Sequence, residues 1–224
     1  HGVGVAVVNA LSEWLVVEVK RDGHIYRQRY QRGKTISQLE VVGSTDEKGT
    51  MITFKPDSTI FEELDFNYDA LKNRLRELAF LNKGLRIILI DEREGTTKEL
   101  HYDGGIASFV KYLNRTKIAL HPEPIYILAE KDTTSLEVAI QYNDSYVESI
   151  YSFANNIGTQ EGGTHLVGFK SALTRAINDY ARKYNLIKQN ENNLSGEDVR
   201  EGLVAIISVK LIDPQFEGQT KTKL

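Results

Sequence analysis

Two short segments carry residue types suited to binding a phosphate group. Gly2-Val3-Gly4 precedes a small-residue apolar stretch of helical character. Such a segment turns several backbone N–H groups towards one anion, and the helix dipole adds a favourable potential. Gln219-Thr220-Lys221 follows a glycine, so a loop there would project a lysine ammonium as a mobile point charge towards a terminal phosphate. Taken alone, the first pattern also fits an ordinary turn and the second a solvated tail.

A third candidate is the run Glu161-Gly162-Gly163-Thr164-His165. Thr164 is predicted to be the N-cap of a long helix. The sequence offers no second histidine at metal-ligand spacing and no convincing Ser/His/Asp set, so a structural role is predicted for His165. Four basic residues of that helix would either form its solvent-exposed face or form a basic surface that binds DNA phosphates. They are Lys170, Arg175, Arg182 and Lys183.

Composition narrows the class of protein. The 224 residues are 41% hydrophobic and 26% charged, with a net charge of −3, which is typical of a soluble globular protein and gives no overall attraction to nucleic acid. Cysteine is absent from the sequence, so disulfides, thiol nucleophiles and cysteine-based zinc sites are excluded. No apolar run is long enough for a membrane span and no secretory leader opens the chain, so a cytoplasmic location is expected. Both ends of the chain are expected to be truncation points within a longer protein.

The pattern of elements predicts an α+β protein. In the first half, residues 5–12 are predicted to be helical, residues 14–20 and 24–30 to form a hairpin around Asp22-Gly23, and residues 49–54 to form a strand. A helix at 68–82 and a buried strand at 85–91 follow. A domain boundary and a hinge are predicted near Asp103-Gly104-Gly105.

The second half is predicted to hold a short helix at 106–113 and two strands, 136–142 and 148–154, that pair with each other. The most regular helix is predicted over 164–184, where six apolar positions from Leu166 to Tyr184 keep a 3.6-residue period and would face the core. A helical turn at 197–200 and a buried strand at 203–210 complete the pattern.

The joint order of six segments resembles one family. Residues 1–12 resemble the ATP-lid segment in the B subunits of the bacterial type II topoisomerases, DNA gyrase and topoisomerase IV. Segments similar to that family then follow in its order, at residues 74–82, 155–156, 161–165, 197–202 and 214–221. The resemblance covers essentially the whole chain, and its specificity comes from this order.

The resemblance implies a fold and a set of site residues. Residues 1–103 would be the C-terminal part of a GHKL (Bergerat) ATP-binding α/β sandwich, and residues 104–224 a transducer domain like domain 2 of ribosomal protein S5. Thr50, with Ile52 beside it, would line the adenine pocket, and Arg21 would lie at the pocket mouth where aminocoumarin inhibitors bind. Gln219 and Lys221 would meet the γ-phosphate as the catalytic residues. The implied nucleotide-binding residues are His1, Gly2, Val3, Gly4, Arg21, Thr50 and Ile52.

The resemblance also implies a function and partners. The complete protein would use ATP and Mg²⁺ to drive DNA strand passage and negative supercoiling. It would form a homodimer of gyrase B chains and an A₂B₂ complex with the gyrase A protein. In the family the general-base glutamate, the magnesium-holding asparagine and the adenine-reading aspartate lie upstream of the position of His1. This chain alone is therefore expected not to turn over ATP.

Three alternatives remain open from the sequence. The spacing in residues 196–200 and 212–216 favours gyrase over the corresponding topoisomerase IV protein, which would serve decatenation. A GHKL chaperone or mismatch-repair ATPase fits the motif order less well. A non-enzymatic, S5-like nucleic-acid-binding module would show a salt-dependent affinity for duplex DNA, and the net charge of −3 argues against it.

Overall fold

The chain divides into two compact units, with bounds His1–Asn67 and Tyr68–Leu224. The computed structural model describes residues 2–224. The described elements of the first unit are α1 (Gly4–Ala10), β1 (Ser12–Arg21), β2 (His24–Gln31), β3 (Lys34–Thr35), β4 (Glu40–Ser44) and β5 (Gly49–Pro56). Its sheet has the order β3-β2-β1-β5, and β4 pairs with β2.

The predicted hairpin of β1 and β2 is confirmed. The two strands pair antiparallel from Leu15 with Tyr30 to Arg21 with His24. The turn residues Asp22 and Gly23 have φ values of 51° and 80°. Positive φ at both central residues is the geometry that matches the right-handed twist of a two-stranded ribbon. The Asp-Gly pair therefore fixes the turn and, through it, the register of β1.

A buried carboxylate joins three segments of the first unit. Asp57, just after β5, is 1% exposed. Its carboxylate accepts hydrogen bonds from Arg32 Nε at 2.6 Å and from the Thr59 backbone N at 2.9 Å. Its own backbone N donates to the Leu11 carbonyl at 3.0 Å. The Arg32 guanidinium and the Thr59 donors lower the pKa of Asp57 to about 2, so this link is ionised over the physiological range.

The second unit holds the remaining elements. In chain order they are α2 (Tyr68–Leu81), β6 (Arg86–Asp91), β7 (Thr96–His101), α3 (Gly105–Leu113), β8 (Ile125–Lys131), β9 (Thr134–Tyr142), β10 (Ser149–Ala154), β11 (Ile157–Gly158), α4 (Thr164–Lys183), α5 (Gly196–Arg200) and β12 (Leu203–Lys210). β6 and β7 form a two-stranded sheet. The other strands form a five-stranded sheet of order β11-β10-β12-β9-β8.

The predicted pairing of β9 with β10 is wrong, because β12 lies between them. β12 runs antiparallel to β9 and parallel to β10. Seven of the eight β12 residues are buried, which is the pattern of a strand covered on both faces. The parallel β10–β12 connection contains α4 and α5, as a crossover between parallel strands requires.

Each face of this sheet packs against its own helices. On one face Phe80 of α2 and Phe109 of α3 form a core with Ala139, Val204 and Ile206. On the other face, Leu166, Phe169 and Leu173 of α4 pack against alternate residues of β9 and β12, which are Val138, Ile140, Leu203, Ala205 and Ile207. The period-two pattern of β12 thus divides its side chains between two separate cores.

Two expectations for α4 are corrected. The N-cap is Gly163, and no side chain caps this end of the helix, whereas Thr164 is the first helical residue. The apolar stripe faces the core only in the first half of the helix. Tyr180 and Tyr184 are 59% and 53% exposed, and their rings contact each other in a tilted arrangement with centroids 4.5 Å apart, while Asn178 of the last turns is buried.

The predicted helical turn before β12 is confirmed as α5, and it starts with a capping box. Ser195 Oγ accepts from the Asp198 backbone N at 3.1 Å, and the Asp198 carboxylate accepts from the Ser195 backbone N at 2.8 Å. These bonds satisfy donors that would otherwise lack partners at the helix start. They also place Val199, which is 4% exposed, in the core.

The predicted boundary at Asp103 and Gly104 falls inside the second unit. Phe80 stacks on Tyr102 with ring centroids 3.7 Å apart and on Phe109 with centroids 4.7 Å apart. Residues on both sides of the boundary therefore share one core. The division into domains 1–103 and 104–224, and the hinge between them, stay predictions. Over residues 2–224, no helix combines the length and the apolarity that crossing a bilayer requires.

Candidate functional site

The structure brings three predicted nucleotide-binding residues to one face of the first sheet. Thr50 and Ile52 of β5 pair with Val19 and Val17 of β1, so all four side chains share a face. Arg21, two residues beyond Val19, lies on that face at the same end of the strands. Its side chain is 75% exposed and forms an ion pair with Asp22 at 3.2 Å. This face combines a hydroxyl, an aliphatic surface and a cation, which suits an uncharged heterocycle beside an anionic chain.

The other end of the same face is apolar. Phe54, two residues after Ile52, borders a cavity of about 310 Å³ together with Val7, Val8 and Leu11. Ile52 and Phe54 are 42% and 40% exposed. The large exposed aliphatic and aromatic area gives this unit an apolar floor next to the polar residues.

The predicted phosphate-binding glycines lie at the start of α1. Gly2 has a φ of 92°, and Val3 immediately precedes the helix without a side-chain cap. The first hydrogen bond of the helix runs from the Val7 backbone N to the Val3 carbonyl at 2.8 Å. Gly2, Val3 and Gly4 are exposed, so their backbone is accessible to an anion. His1, which the resemblance also implies in nucleotide binding, lies outside the described residues.

Gln219 and Lys221 lie at the tip of a closed loop in the second unit. The Glu217 backbone N donates to the Lys223 carbonyl at 3.0 Å, which closes the loop, and Lys223 Nζ forms an ion pair with Glu217 at 2.7 Å. The hydrogen bond and charge of Glu217 raise the pKa of Lys223. Lys221 has a φ of 58°, in the left-handed region, and its backbone N donates to the Gly218 carbonyl at 3.0 Å.

The end of this loop is attached to the turn before α4. The Thr222 carbonyl accepts from the Glu161 backbone N at 2.9 Å, and the Leu224 carbonyl accepts from the Thr164 backbone N at 3.2 Å. In the opposite direction, the Leu224 backbone N donates to the Gly162 carbonyl at 3.2 Å. These bonds resemble a short strand pairing. We refer to residues 217–224 with this attachment as the strap.

The start of the segment leading to the strap is fixed by an asparagine. Asn155 Nδ2 donates to the Leu211 carbonyl at 2.8 Å, and Asn155 Oδ1 accepts from the Leu211 backbone N at 2.8 Å. Asn155 itself has a φ of 48°, a conformation that asparagine tolerates better than most residues. The sequence indicates Asn155 only as part of a family motif, and no local signal predicts its role as a clamp at the end of β12.

The contacts of His165 favour the structural role predicted for it. Its Nε2 lies 3.0 Å from Thr159 Oγ1, and that hydroxyl in turn donates to the Ser152 carbonyl at 2.9 Å. Burial lowers the pKa of His165, which favours the neutral ring. The imidazole thus joins the start of α4 to the core of the sheet.

The basic residues of α4 are partly engaged within the second unit. Lys170 pairs with Glu148, which also accepts from Arg200. Arg182 donates to the carbonyls of Lys188 and Glu191, both at 2.6 Å, and so holds the following loop. These contacts favour a structural role for Arg182.

Comparison with known proteins identifies the family. The family model described as DNA gyrase B matches residues 105–224. A DNA gyrase B protein from Clostridium acetobutylicum is 61% identical over 100% of this chain, and one from Halalkalibacterium halodurans is 62% identical over 100% of it. The chain covers 35% and 36% of these two relatives, so it spans about a third of their length.

Solved structures agree in fold and favour gyrase over topoisomerase IV. The 43K ATPase domain of Thermus thermophilus gyrase B, in complex with an aminocoumarin, superimposes with a TM-score of 0.86 and 43% identity, covering 100% of this chain and 61% of that one. The topoisomerase IV ATP-binding domain of Francisella tularensis, in complex with a small-molecule inhibitor, gives a TM-score of 0.82 and 33% identity, covering 100% and 61%. The predicted α+β class is confirmed by these neighbours and by the observed helices and sheets. The order of the motifs, the fold and these matches lead to one conclusion: the chain belongs to the DNA gyrase B family.

Proposed function

We propose that this chain is part of the ATPase region of a gyrase B protein, which couples ATP binding and hydrolysis to DNA strand passage and negative supercoiling. The observation that carries this proposal is the strap, whose closed loop holds Gln219 and Lys221 at its tip. A loop that is closed at its base and tied to the start of α4 presents an ammonium group at a defined place. The gyrase B relatives and the solved gyrase ATPase domain support the same assignment.

The residues of the first unit supply the nucleotide contacts in this proposal. Thr50 and Ile52 hold the adenine, because they combine a hydroxyl with an aliphatic surface on one exposed face. The backbone N–H groups of Gly2, Val3 and Gly4 bind the phosphates at the start of α1. Because adenine and the first two phosphates are common to ATP and ADP, these contacts serve both nucleotides equally.

Lys221 and Gln219 are the residues that distinguish ATP from ADP. A charged contact to the γ-phosphate exists before hydrolysis and is lost when that phosphate leaves. The ammonium stabilises negative charge on the transferring group, which lowers the barrier for turnover. The loss of the contact then signals the nucleotide state to the rest of the complete protein.

Mg²⁺ is proposed to accompany ATP, but none of the described residues is assigned to it. Residues 2–224 contain no group of three His, Asp or Glu side chains arranged to hold a metal ion.

The proposed partners and location follow from the family. They are DNA, the gyrase A protein, a second gyrase B chain that completes an A₂B₂ complex, and a cytoplasmic setting. An aminocoumarin inhibitor is a further proposed ligand, since the Thermus thermophilus neighbour binds one. Arg21 is the residue proposed to contact it, because its side chain is exposed at the edge of the Thr50 face.

Replacing Lys221 in the complete protein tests the proposal. Lys221→Ala should lower steady-state ATP turnover on the order of a hundredfold or more, since it removes a charged contact that strengthens in the transition state. Binding of ADP, measured by calorimetry, should stay nearly unchanged because ADP lacks the γ-phosphate. Gln219→Ala should show a smaller defect of the same kind, since a neutral donor is weaker than an ammonium.

Two further variants make the result specific. Lys210→Ala, which removes an exposed lysine at the end of β12, should retain normal turnover. Thr50→Ala should weaken ATP and ADP alike, because it acts on the adenine. Near-normal turnover in Lys221→Ala would mean that this lysine is a solvated loop residue and would end the proposed mechanism.

A further inference from the structure

The turn before α4 has a backbone that only glycine adopts without strain. Gly163 has a φ of 146° and a ψ of −175°, a region open to glycine and costly for residues with a Cβ. Gly162, with a φ of 79°, precedes it. On either side of Gly163, the Gly162 carbonyl and the Thr164 backbone N are hydrogen-bonded to a neighbouring segment.

That neighbouring segment is the end of the strap. A Cβ placed on Gly163 would lie 2.4 Å from the Leu224 carbonyl oxygen, 2.8 Å from its backbone N and 2.9 Å from its Cβ. Distances this short to backbone atoms force a displacement, since a backbone cannot rotate away as a side chain does. The absence of a side chain at Gly163 is therefore a condition for seating the strap.

The seated strap in turn determines where its loop tip lies. The hydrogen bonds of the Leu224 N and O atoms flank Gly163 on both sides, at Gly162 and Thr164. The loop closes immediately before them, where Glu217 N bonds to Lys223 O. Lys221 precedes Leu224 by only three residues, so a shift of the Leu224 backbone also moves Lys221.

We propose that Gly163 is a positioning residue for Lys221: by leaving space for the Leu224 backbone, it fixes the strap that presents the lysine to the γ-phosphate. This inference rests on the proposed function for the role of Lys221, whereas the seating of the strap can be tested without nucleotide. A displacement of about 1 Å in a group that acts on the reacting phosphate lowers a rate on the order of a hundredfold.

The test compares two glycine variants of the same turn and helix in the complete protein. Gly163→Ala should lower kcat for ATP by about the same factor as Lys221→Ala, with ADP affinity unchanged. The matched control is Gly168→Ala in α4, where an added Cβ meets no atom within 4 Å apart from the backbone of its own helix and its chain neighbours. Gly168→Ala should keep normal turnover, because alanine favours the helix and leaves the strap seated.

Amide hydrogen exchange gives a readout that does not depend on catalysis. In Gly163→Ala the amides of Glu161, Thr164 and Leu224 should exchange roughly tenfold faster or more, because their partners are displaced, while amides of β12 stay protected. A merely destabilising effect would instead raise exchange throughout the sheet and weaken ADP binding as well, which would refute the positioning role.

The outcomes separate the two proposals. If Lys221→Ala loses turnover and Gly163→Ala keeps it, the positioning role is refuted and the proposed function stands. If Lys221→Ala keeps turnover while the strap amides of Gly163→Ala still exchange faster, the seating of the strap is supported and the proposed function fails. Unchanged exchange in Gly163→Ala would refute the inference outright.

Discussion

Replacing Phe80 by alanine should lower the free energy of unfolding of the second unit by about 3–5 kcal/mol. Phe80 is 1% exposed, so its ring is fully removed from water in the fold. The expected cost combines the lost transfer of the ring from water with the cavity that it leaves. Among the fully buried side chains of the described residues, Phe80 has the largest volume.

The aromatic partners of Phe80 account for part of this expected loss in the free energy of unfolding. Phe80 stacks on Tyr102 at 3.7 Å and on Phe109 at 4.7 Å between ring centroids. Stacked pairs contribute about 0.5–1.5 kcal/mol each beyond their buried area. A double-mutant cycle between Phe80→Ala and Phe109→Ala should therefore give a coupling of about that size.

Urea unfolding of the 224-residue chain, followed by circular dichroism, is the assay. A loss of about 3–5 kcal/mol is a large part of the roughly 5–15 kcal/mol that stabilises a typical domain, so the midpoint should fall clearly. Tyr146→Ala is the control, since Tyr146 is 84% exposed and its removal should change the stability by less than about 0.5 kcal/mol.

The same experiment bears on the domain boundary. Phe80 and Tyr102 precede residue 104 and Phe109 follows it. The second unit should therefore unfold in one cooperative transition, and Phe80→Ala should shift that whole transition. A loss below about 1 kcal/mol would refute the packing argument. Two separate transitions, of which Phe80→Ala moves only the one for residues 68–103, would show that the aromatic stack does not join the two predicted domains.

Two further predictions concern local contacts. Asp57→Asn should lower the urea midpoint at pH 7, and the difference from wild type should shrink as pH falls from the ordinary pKa of 3.8 towards about 2, because the folded pKa is depressed and the stabilising carboxylate is lost over that window. The control is Asp46→Asn at an exposed aspartate, which should leave the urea midpoint at pH 7 nearly unchanged, and an equal loss in both variants would contradict the ionic link of Asp57 to Arg32. Ser195→Ala should cost about 0.5–2 kcal/mol by removing the capping box of α5, as measured by thermal unfolding, whereas an unchanged Tm would show that the box contributes nothing.

The sequence by itself determined those elements whose geometry depends on residues adjacent in the chain. The Asp22-Gly23 pair predicts the hairpin because both residues accept positive φ, and the observed turn has this conformation. The helical turn predicted at residues 197–200 is also observed, and the structure adds that Ser195 and Asp198 form its capping box. The resemblance predicted the family, and the comparisons confirm it. It also implied site residues such as Lys221, and the role of these residues stays a prediction.

Only the tertiary structure decided which elements are neighbours. Alternation along a strand indicates which side chains share a face, but it does not name the adjacent strand, so the pattern did not place β12 between β9 and β10. The unbroken apolar run of β12 was the available signal for a central position. The N-cap of α4 and the role of Gly163 depend on Leu224, which is far away in the chain, and no local pattern records that contact. The periodicity of a sequence does not record which backbone segments pack together over long chain distances. The attachment of the strap to residues 161–164 is therefore visible only in the tertiary structure.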